Sequence, residues 1–292
     1  ACELRTLGYT VDIFEAKSQP SGLTVHGVAP YKISNEEVLA EMDYLQDQLG
    51  YTVKCNSPVT TKEQIAELES NYDAIFLGVG VGLTADLRMK GEGLNGVQGA
   101  VEFIEKLRMK HSDVKIASKV VVIGGGNTAM DAASGSARLG AEEVTLAYRR
   151  EKEGMGAYGF EYDLAIGAGV RGLFNVSPIE IIGTNKVEGV RFVKTEVNNG
   201  TLATIAGSEF TIPCDMVIKA TGQAKQGSFL SLIDSLDLDD SIHIVVDTRN
   251  NQTTNPKYFA GGDAVNGGAE VVNAAYDGKL EANGIHEWLT QN

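Results

Sequence analysis

The chain has 292 residues, of which 43% are hydrophobic and 22% are charged, a composition typical of a globular protein. Its formal net charge of −14 argues against nucleic acid as a partner, because affinity for a phosphate backbone requires clustered lysine and arginine. No apolar run approaches the length that spans a membrane, so no membrane association is expected, and no signal peptide is recognisable. The length favours two domains over one.

The three cysteines lie far apart in the sequence, at Cys2, Cys55 and Cys214. They form neither a zinc-binding spacing nor a disulfide framework. We therefore expect reduced structural thiols, a cytoplasmic location and no metal site. The same separation argues against a disulfide reductase of the thioredoxin reductase type, because such an enzyme needs a cysteine pair.

The first 80 residues predict alternating strands and helices. The chain opens as if inside a helix, so we expect it to be the C-terminal part of a longer polypeptide that carries the preceding strand. The strand Val11–Phe14 ends at Glu15, the position of the acidic residue that holds a ribose in dinucleotide-binding folds. The further elements predicted here are a loop over Ser18–Pro30, helices over Asn35–Leu49 and Thr61–Ser70, and strands over Tyr51–Cys55 and Asp73–Val79.

A glycine-rich crossing over Leu83–Gly96 and a helix over Gln98–Lys110 precede the most informative motif. Val120–Ile123 is a β-branched run typical of a buried parallel strand, and a glycine turn and a helix follow it. The spacing G-x-G-x-x-A permits a sharp turn, close approach of the backbone to a pyrophosphate, and tight packing of helix on strand. Unpaired N–H groups at the helix start suit phosphate. The predicted nucleotide site comprises Gly124, Gly125, Gly126, Asn127, Thr128 and Ala129.

The next strand ends in Arg149 and Arg150, roughly 20 residues after the glycines. A fold that prefers NAD usually places an acidic residue there, whereas guanidinium groups suit a 2′-phosphate. The pair therefore favours NADP(H) over NAD(H). The alternative interpretation is a solvated arginine pair that only closes the strand.

The rest of the chain predicts a small antiparallel meander and two further parallel strands. After a loop and a helix up to Gly169, the meander strands are Phe174–Val176, Ile179–Ile182, Val187–Val197 and Phe210–Ile212. The later elements are a strand over Met216–Ala220 that ends in Thr221-Gly222, an acidic helical region over Phe229–Asp240, a strand over Ile242–Val246, a crossing over Asp247–Pro256, a strand over Tyr258–Ala260 and a helix over Glu270–Leu289.

These patterns predict an α/β protein with two nested Rossmann-like dinucleotide-binding domains and the small meander. The outer domain is discontinuous and comprises residues 1–84 and 248–292, without its first strand and glycine turn. The inner domain comprises residues 97–247. The nesting follows because one strand-and-glycine ending lies at Val79, and the other lies at Thr221 within the inserted part.

The succession F-E-A-K, S-G-L, FLGVG, GGGNTAMD, YRR, ATGQ and FAGGDAVNGGAEVVNAAYDGK resembles the flavoproteins with two dinucleotide-binding domains. It is most similar to the glutamate synthase small subunit and the FAD-NAD(P) part of dihydropyrimidine dehydrogenase. This resemblance implies an NAD(P)H-dependent flavin oxidoreductase subunit, in which hydride passes from nicotinamide to FAD and electrons pass on to a catalytic partner subunit. An iron–sulfur cluster would lie in the region that precedes Ala1 or on the partner.

The same resemblance implies that the outer domain binds FAD and that the inner domain binds NADP or NAD. In the outer domain the candidate cofactor-binding residues are Glu15, Lys17, Gly22, Leu23, Lys32, Gly80, Gly262, Asp263, Glu270 and Val271. In the inner domain they are the glycine turn, Arg149, Arg150, Ala220, Thr221 and Gly222. No catalytic side chain is expected, because the cofactors carry the chemistry of hydride transfer.

Three features depart from the family pattern. The glycine motif for FAD and the iron–sulfur region, both expected before Ala1, are absent from this sequence, and Met155-Gly156-Ala157 stands where relatives commonly have Met-Pro-Ala. The competing interpretation of the whole chain is a nucleotide-binding module without turnover, or a structural subunit.

Overall fold

The computed structural model describes residues 1–291 and contains two compact units, each built from separate stretches of the chain. The first unit comprises residues 1–25 and 36–82 and the residues from 224 onward, and the second comprises residues 26–35 and 83–223. Parallel sheets alternate with helices in both, and an antiparallel sheet is added in the second. The predicted α/β class is therefore confirmed.

In chain order the strands are β1 (Asp12–Phe14), β2 (Thr52–Lys54), β3 (Ile75–Leu77), β4 (Val97–Gly99), β5 (Lys119–Ile123), β6 (Glu143–Ala147), β7 (Arg171–Leu173), β8 (Val176–Gly183), β9 (Val187–Asn198), β10 (Thr201–Thr204), β11 (Phe210–Pro213), β12 (Met216–Lys219) and β13 (Tyr258–Ala260). The α-helices are α1 (Cys2–Thr6), α2 (Gly22–His26), α3 (Asn35–Leu49), α4 (Lys62–Asn71), α5 (Ala100–Met109), α6 (Asn127–Arg138), α7 (Gly159–Gly167), α8 (Gly227–Leu230), α9 (Asp263–Asn266) and α10 (Val271–Gln291). Short 3-10 helices cover His111–Asp113 and Lys152–Gly154.

The second unit is organised around a parallel sheet in the order β4-β12-β5-β6-β7. Its central strand, β5, is buried on both faces, and its side chains alternate between two cores. Val120 and Val122 pack in the cluster that contains residues of α5 and α6. Val121 and Ile123 pack in a cluster with residues of the meander strands β8 and β9. The uninterrupted β-branched run follows from this double coverage.

Helix α6 is buried along most of its length, from Ala129 to Ser136. Its buried residues are mostly small, which permits close packing against neighbouring elements. A Cβ atom at Gly135 would lie 3.2 Å from the side chain of Leu107 on α5. The helix that begins at the glycine turn is thus part of the core.

The meander is centred on the long strand β9, which pairs in antiparallel fashion with β8, β10 and β11. The turn predicted at Asn199-Gly200 connects β9 to β10, and both of these residues have positive φ. Beneath it, Phe192 and Ile181 belong to the cluster shared with the parallel sheet. The meander therefore covers the sheet face opposite to α5 and α6.

The first unit contains two parallel strand pairs, β1 with β2 and β3 with β13. Tyr258 and Leu77 are buried members of its main apolar cluster. Residues 224–247, which the sequence analysis assigned to the inner domain, supply Leu230, Ile233 and Ile244 to this same cluster. They lie in the first unit because their apolar side chains are buried there.

The acidic region over residues 229–240 differs from its prediction. Only α8 is helical, and Ser235 has a positive φ. The Asp239 carboxylate accepts hydrogen bonds from the N–H groups of Ser241 and His243. Aspartate side chains that bond the local backbone in this way compete with helix formation. The predicted strand at 242–246 is reduced to isolated bridges at Ile244 and Val246.

Among residues 1–291, no helix has both the length and the hydropathy that a transmembrane span requires.

Candidate nucleotide-binding site

The glycine turn lies at the carboxyl end of β5, between the ends of β12 and β6. A Cβ atom at Gly124 would lie less than 3.0 Å from the carbonyl oxygen of Ala220, which follows β12. One at Gly125 would lie less than 3.0 Å from ring carbons of Tyr148, which follows β6. Both glycines are therefore required by the neighbouring strand ends.

Gly126 differs from the two preceding glycines. It is the N-cap residue of α6, no side chain caps the helix there, and a Cβ atom at this position would meet nothing within 4 Å. No protein atom therefore occupies the space beside Gly126 in which a side chain would begin. N–H groups and the positive end of the helix dipole at such a position suit a phosphate.

A loop over residues 151–158 is held against this turn by two hydrogen bonds. The N–H of Ala157 donates to the carbonyl oxygen of Gly125 at 3.0 Å, and the N–H of Tyr158 donates to Asn127 Oδ1 at 3.0 Å. Tyr148 Oη donates to the carbonyl oxygen of Gly154 at 2.5 Å. The loop that contains Met155-Gly156-Ala157 therefore forms one wall of the candidate site.

The backbone of Arg149 and Arg150 is fixed by residues outside β6. Thr195 Oγ1 donates to the carbonyl oxygen of Arg149 at 2.8 Å, and the N–H of Asn175 donates to that of Arg150 at 3.2 Å. Arg149 is exposed and Arg150 is half-buried. Neither guanidinium forms an ion pair within the described part of the chain. Their charge is available to an anion.

The structure brings the predicted residues of the second unit to one edge of its parallel sheet. The glycine turn follows β5, the arginines follow β6, and Ala220-Thr221-Gly222 follows β12. The N–H of Ala220 donates to the carbonyl oxygen of Ile123 at 2.8 Å, and that of Ala85 donates to Gly222 at 3.0 Å. Ligands of open α/β sheets bind outside the carboxyl ends of the strands.

Sequence reasoning missed Lys219, the last residue of β12. Only 8% of it is exposed, and its Nζ contacts the carboxylates of Glu92 and Asp86. Glu92 also accepts the N–H groups of Leu87 and Arg88, each at 2.8 Å. Burial opposes the charge of Lys219, yet the two carboxylates raise its pKa above the ordinary value. The contacts of Lys219 with Asp86 and Glu92 hold the segment 86–92 beside the end of β12.

Two of the predicted FAD-binding residues lie directly after β1. Glu15 Oε1 accepts the N–H of Lys17 at 2.8 Å, and the carbonyl oxygen of Glu15 accepts the N–H of Ser57 at 2.9 Å. Gly22 has a φ of +50° and opens α2, where Leu23 is 39% exposed.

The remaining candidates of the first unit follow β3 and β13. Gly80, after β3, and Gly262, after β13, have φ values of +59° and +62°. The N–H of Gly262 donates to Asp277 Oδ2 at 2.9 Å, and Asp263 Oδ1 accepts the N–H of Ala269 at 3.1 Å. Glu270 and Val271 stand at the start of α10, where both are exposed.

A buried carboxyl group lies behind the Gly261-Gly262 turn. Glu281 is 1% exposed, and its Oε1 accepts a hydrogen bond from Asn251 Nδ2 at 3.1 Å. Its Oε2 has no hydrogen-bond partner among the described residues. Burial raises the pKa of Glu281 to about 7. A Cβ atom at Gly261 would collide with this carboxylate, so the side chain packs directly on the turn.

Lys32 belongs to the second unit, whereas the other predicted FAD-binding residues belong to the first. Its Nζ lies 2.7 Å from Asp131 Oδ1 on α6 and 2.6 Å from Glu161 Oε1 on α7. Tyr31 Oη also donates to Asp131, at 2.9 Å. Burial raises the pKa of Asp131 in spite of these partners. The lysine thus neutralises two buried carboxylates, and its contact with a flavin stays a prediction.

Comparison with known proteins agrees with this geometry. Residues 1–278 match the family described as pyridine nucleotide-disulphide oxidoreductase. The chain is 35% identical to the glutamate synthase [NADPH] small chain of Escherichia coli (strain K12), over 97% of this chain and 64% of that protein. It is 31% identical to the NAD-dependent dihydropyrimidine dehydrogenase subunit PreT homolog of Salmonella typhi, over 99% of this chain and 65% of that protein.

A solved structure, Mycobacterium tuberculosis FprA in complex with NADPH, shares the fold with a TM-score of 0.76 at 21% identity, over 97% of this chain and 78% of that one. The chain spans less than two thirds of the length of the two curated relatives named above. The resemblance inferred from the sequence motifs, and the oxidoreductase class that it implies, are confirmed at the level of the family. The chain belongs to the pyridine nucleotide-disulphide oxidoreductase family.

Proposed function

We propose that the chain is the electron-input part of an NAD(P)H-dependent flavin oxidoreductase. The second unit binds the nicotinamide dinucleotide, with NADP(H) preferred, and the first unit contributes to FAD binding. The observation that carries the proposal is the open N-terminus of α6 at Gly126, with Arg149 and Arg150 at the end of the adjacent strand. A dinucleotide with a 2′-phosphate needs anion-binding groups at both of these places.

The flavin part of the proposal rests on the residues after β1, β3 and β13. Glu15 suits the ribose hydroxyls of an adenosine, and the exposed start of α10 at Glu270 and Val271 suits a group that gains negative charge. FAD would supply the hydride acceptance there. Lys17, Gly22, Leu23, Gly80, Gly262 and Asp263 complete this proposed surface.

The destination of the electrons is proposed from the names of the relatives. Glutamate synthase and dihydropyrimidine dehydrogenase relatives are named as a small chain and a subunit. We therefore assign the electrons to a catalytic partner subunit, directly or through an iron–sulfur cluster in a region outside this chain or on the partner. The cytoplasmic location also stays a prediction.

Calorimetric titration of the purified chain with NADPH and with NADH tests the nucleotide-binding part of the proposal. Saturable binding that is tighter for NADPH than for NADH is expected. If neither nucleotide binds up to millimolar concentration, the proposal is wrong.

The flavin part needs an independent measurement. The chain supplied with FAD, or the full-length protein that contains it, should show a flavin absorption spectrum that bleaches under anaerobic NADPH. NADPH binding with a flavin that stays oxidised would instead support the alternative of a nucleotide-binding module without turnover.

A further inference from the structure

We propose that the side chains of Tyr158 and Phe160 form a platform on which the adenine base of the dinucleotide stacks. This inference rests on the nucleotide-binding function proposed above. It assigns the recognition of the base to residues other than the glycine turn and the two arginines.

The two rings are stacked in parallel, with centroids 5.6 Å apart and an interplanar angle of 7°. Tyr158 is 48% exposed and Phe160 is 64% exposed. Aromatic side chains contribute a large apolar area, and they pair favourably with other rings in offset-stacked or edge-to-face arrangements. Stacking of nucleic-acid bases on aromatic side chains has this physical basis and requires no particular hydrogen-bond pattern.

The platform lies beside the phosphate-binding end of the candidate site. Tyr158 is held to Asn127, the first residue of α6, by the hydrogen bond from its N–H, and the adjacent Ala157 is held to Gly125. The first ring of the pair, Tyr158, therefore directly follows a residue that is hydrogen-bonded to the glycine turn.

The other end of the same loop meets the arginines. Residues 151–157 connect Arg150 to Tyr158, and a Cβ atom at Gly154 would lie 3.3 Å from Arg150 Cβ. In NADP the adenosine joins the pyrophosphate to the 2′-phosphate. If the pyrophosphate lies at the α6 N-terminus and the 2′-phosphate at the arginines, the base lies within reach of the loop that joins them.

The start of α7 is anchored, so the rings are held in place before a ligand arrives. Glu161, directly after Phe160, is buried and bonded to Lys32. Tyr162 is buried as well, with Lys152 Nζ 4.3 Å from its ring centroid. A platform that is already ordered loses little entropy on binding.

Leu164 and Ile166 are also exposed on α7. The competing occupant of this helix face is therefore a protein partner. The observations favour the base, because the main chain at Ala157 and Tyr158 is bonded to Gly125 and Asn127, whereas the exposed aliphatic side chains lie further along α7.

The test uses the whole chain and adenosine 2′,5′-bisphosphate, which carries the base and the 2′-phosphate but no nicotinamide. Calorimetry compares the wild type with Tyr158→Ala, Phe160→Ala and the double variant. We expect the dissociation constant of the double variant to rise about tenfold or more, the size typical of a lost base–aromatic stack. Phe160→Tyr, which keeps a flat ring, should bind as the wild type does.

Leu164→Ala is the matched control, because it removes an exposed apolar side chain from the same helix without touching the rings. Unchanged affinity in this control, with unchanged melting temperatures in all variants, ties the loss to the rings. If the wild type binds the bisphosphate and the double variant binds it equally well, the inference is overturned and the proposed function stands. If the wild type binds neither the bisphosphate nor NADPH, the proposed function itself fails.

Discussion

The α-carbon of Gly124 faces the carbonyl oxygen of Ala220 so closely that a Cβ atom there would lie less than 3.0 Å from that oxygen. The two residues follow adjacent parallel strands, β5 and β12. The first glycine of the motif is thus required by the fold before any ligand is considered. The third glycine, Gly126, faces open space.

This contrast predicts different outcomes for two alanine substitutions. Gly124→Ala should destabilise the chain by about 2 kcal/mol or more, because the added methyl group meets rigid backbone. Gly126→Ala should change the free energy of unfolding by less than about 1 kcal/mol, yet weaken NADPH binding at least tenfold, because the glycine at this position of the motif lets the backbone approach a pyrophosphate closely. Urea denaturation and calorimetric titration measure the two effects. Equal loss of stability in both variants would contradict the assignment of a structural role to Gly124 and a ligand-binding role to Gly126.

Arg149 and Arg150 should determine the preference for the phosphorylated nucleotide. Replacing both by alanine removes the cationic donors but leaves their main-chain hydrogen bonds in place. We expect NADPH affinity to fall about 10- to 100-fold, the size of one or two charge-assisted hydrogen bonds, with little change for NADH. The ratio of the two dissociation constants is the measurement.

Arg171→Ala is the control for this experiment, because Arg171 is an exposed arginine at the opposite, amino end of a strand in the same sheet. It should leave the ratio unchanged. A double arginine variant that keeps the wild-type ratio would show that the pair is only a solvated strand ending.

Lys219→Met should lower the free energy of unfolding by about 3 kcal/mol, because it leaves the Glu92 carboxylate in a largely buried site without its cation. Lys90→Met offers a matched comparison. Lys90 also pairs with a glutamate, Glu180, but is 82% exposed. Its loss should cost less than about 1 kcal/mol. Similar costs for the two variants would contradict the importance given to burial.

Glu281 should make the stability of the chain depend on pH. Burial raises the pKa of Glu281 from 4.5 to about 7, so between these values the folded chain keeps a proton that the unfolded chain has released. Stability therefore falls as pH rises from about 4.5 to 7, by about 3 kcal/mol in total.

Glu281→Gln should remove this dependence, so that the variant is more stable than the wild type at pH 8 and close to it at pH 4.5. Urea denaturation across the pH range measures the effect, and the exposed Glu287→Gln on the same helix is the control. A wild-type profile that does not fall through this window would contradict the burial argument.

The local parts of the site could be predicted from the sequence. The β-branched run of β5, the glycine turn and the start of α6 at Asn127 were found where expected, because each is determined by its neighbours in the chain. The strand β6 before Arg149 and Arg150 was predicted for the same reason, although it ends at Ala147, two residues before the first arginine. Periodicity and turn chemistry carry such information without knowledge of the fold.

The contacts between distant residues could not be predicted. Lys219 and Glu92 are separated by 127 residues, and Lys32 meets Glu161 across 129. Nothing in the local pattern marks a lysine as the partner of a particular buried carboxylate. The compact unit that contains residues 224–247 differs from the domain predicted for them, because only tertiary packing shows where Leu230 and Ile244 are buried.

The burial of α6 from Ala129 to Ser136 has a consequence for changing the cofactor by mutation. Since most side chains of that helix are packed in the core, few of its positions can be substituted without disturbing the packing. Exposed positions at the rim, such as Arg149, Tyr158 and Phe160, carry no such constraint. Selection for a different nucleotide should therefore accumulate substitutions in the surface loop and leave the helix behind it nearly invariant.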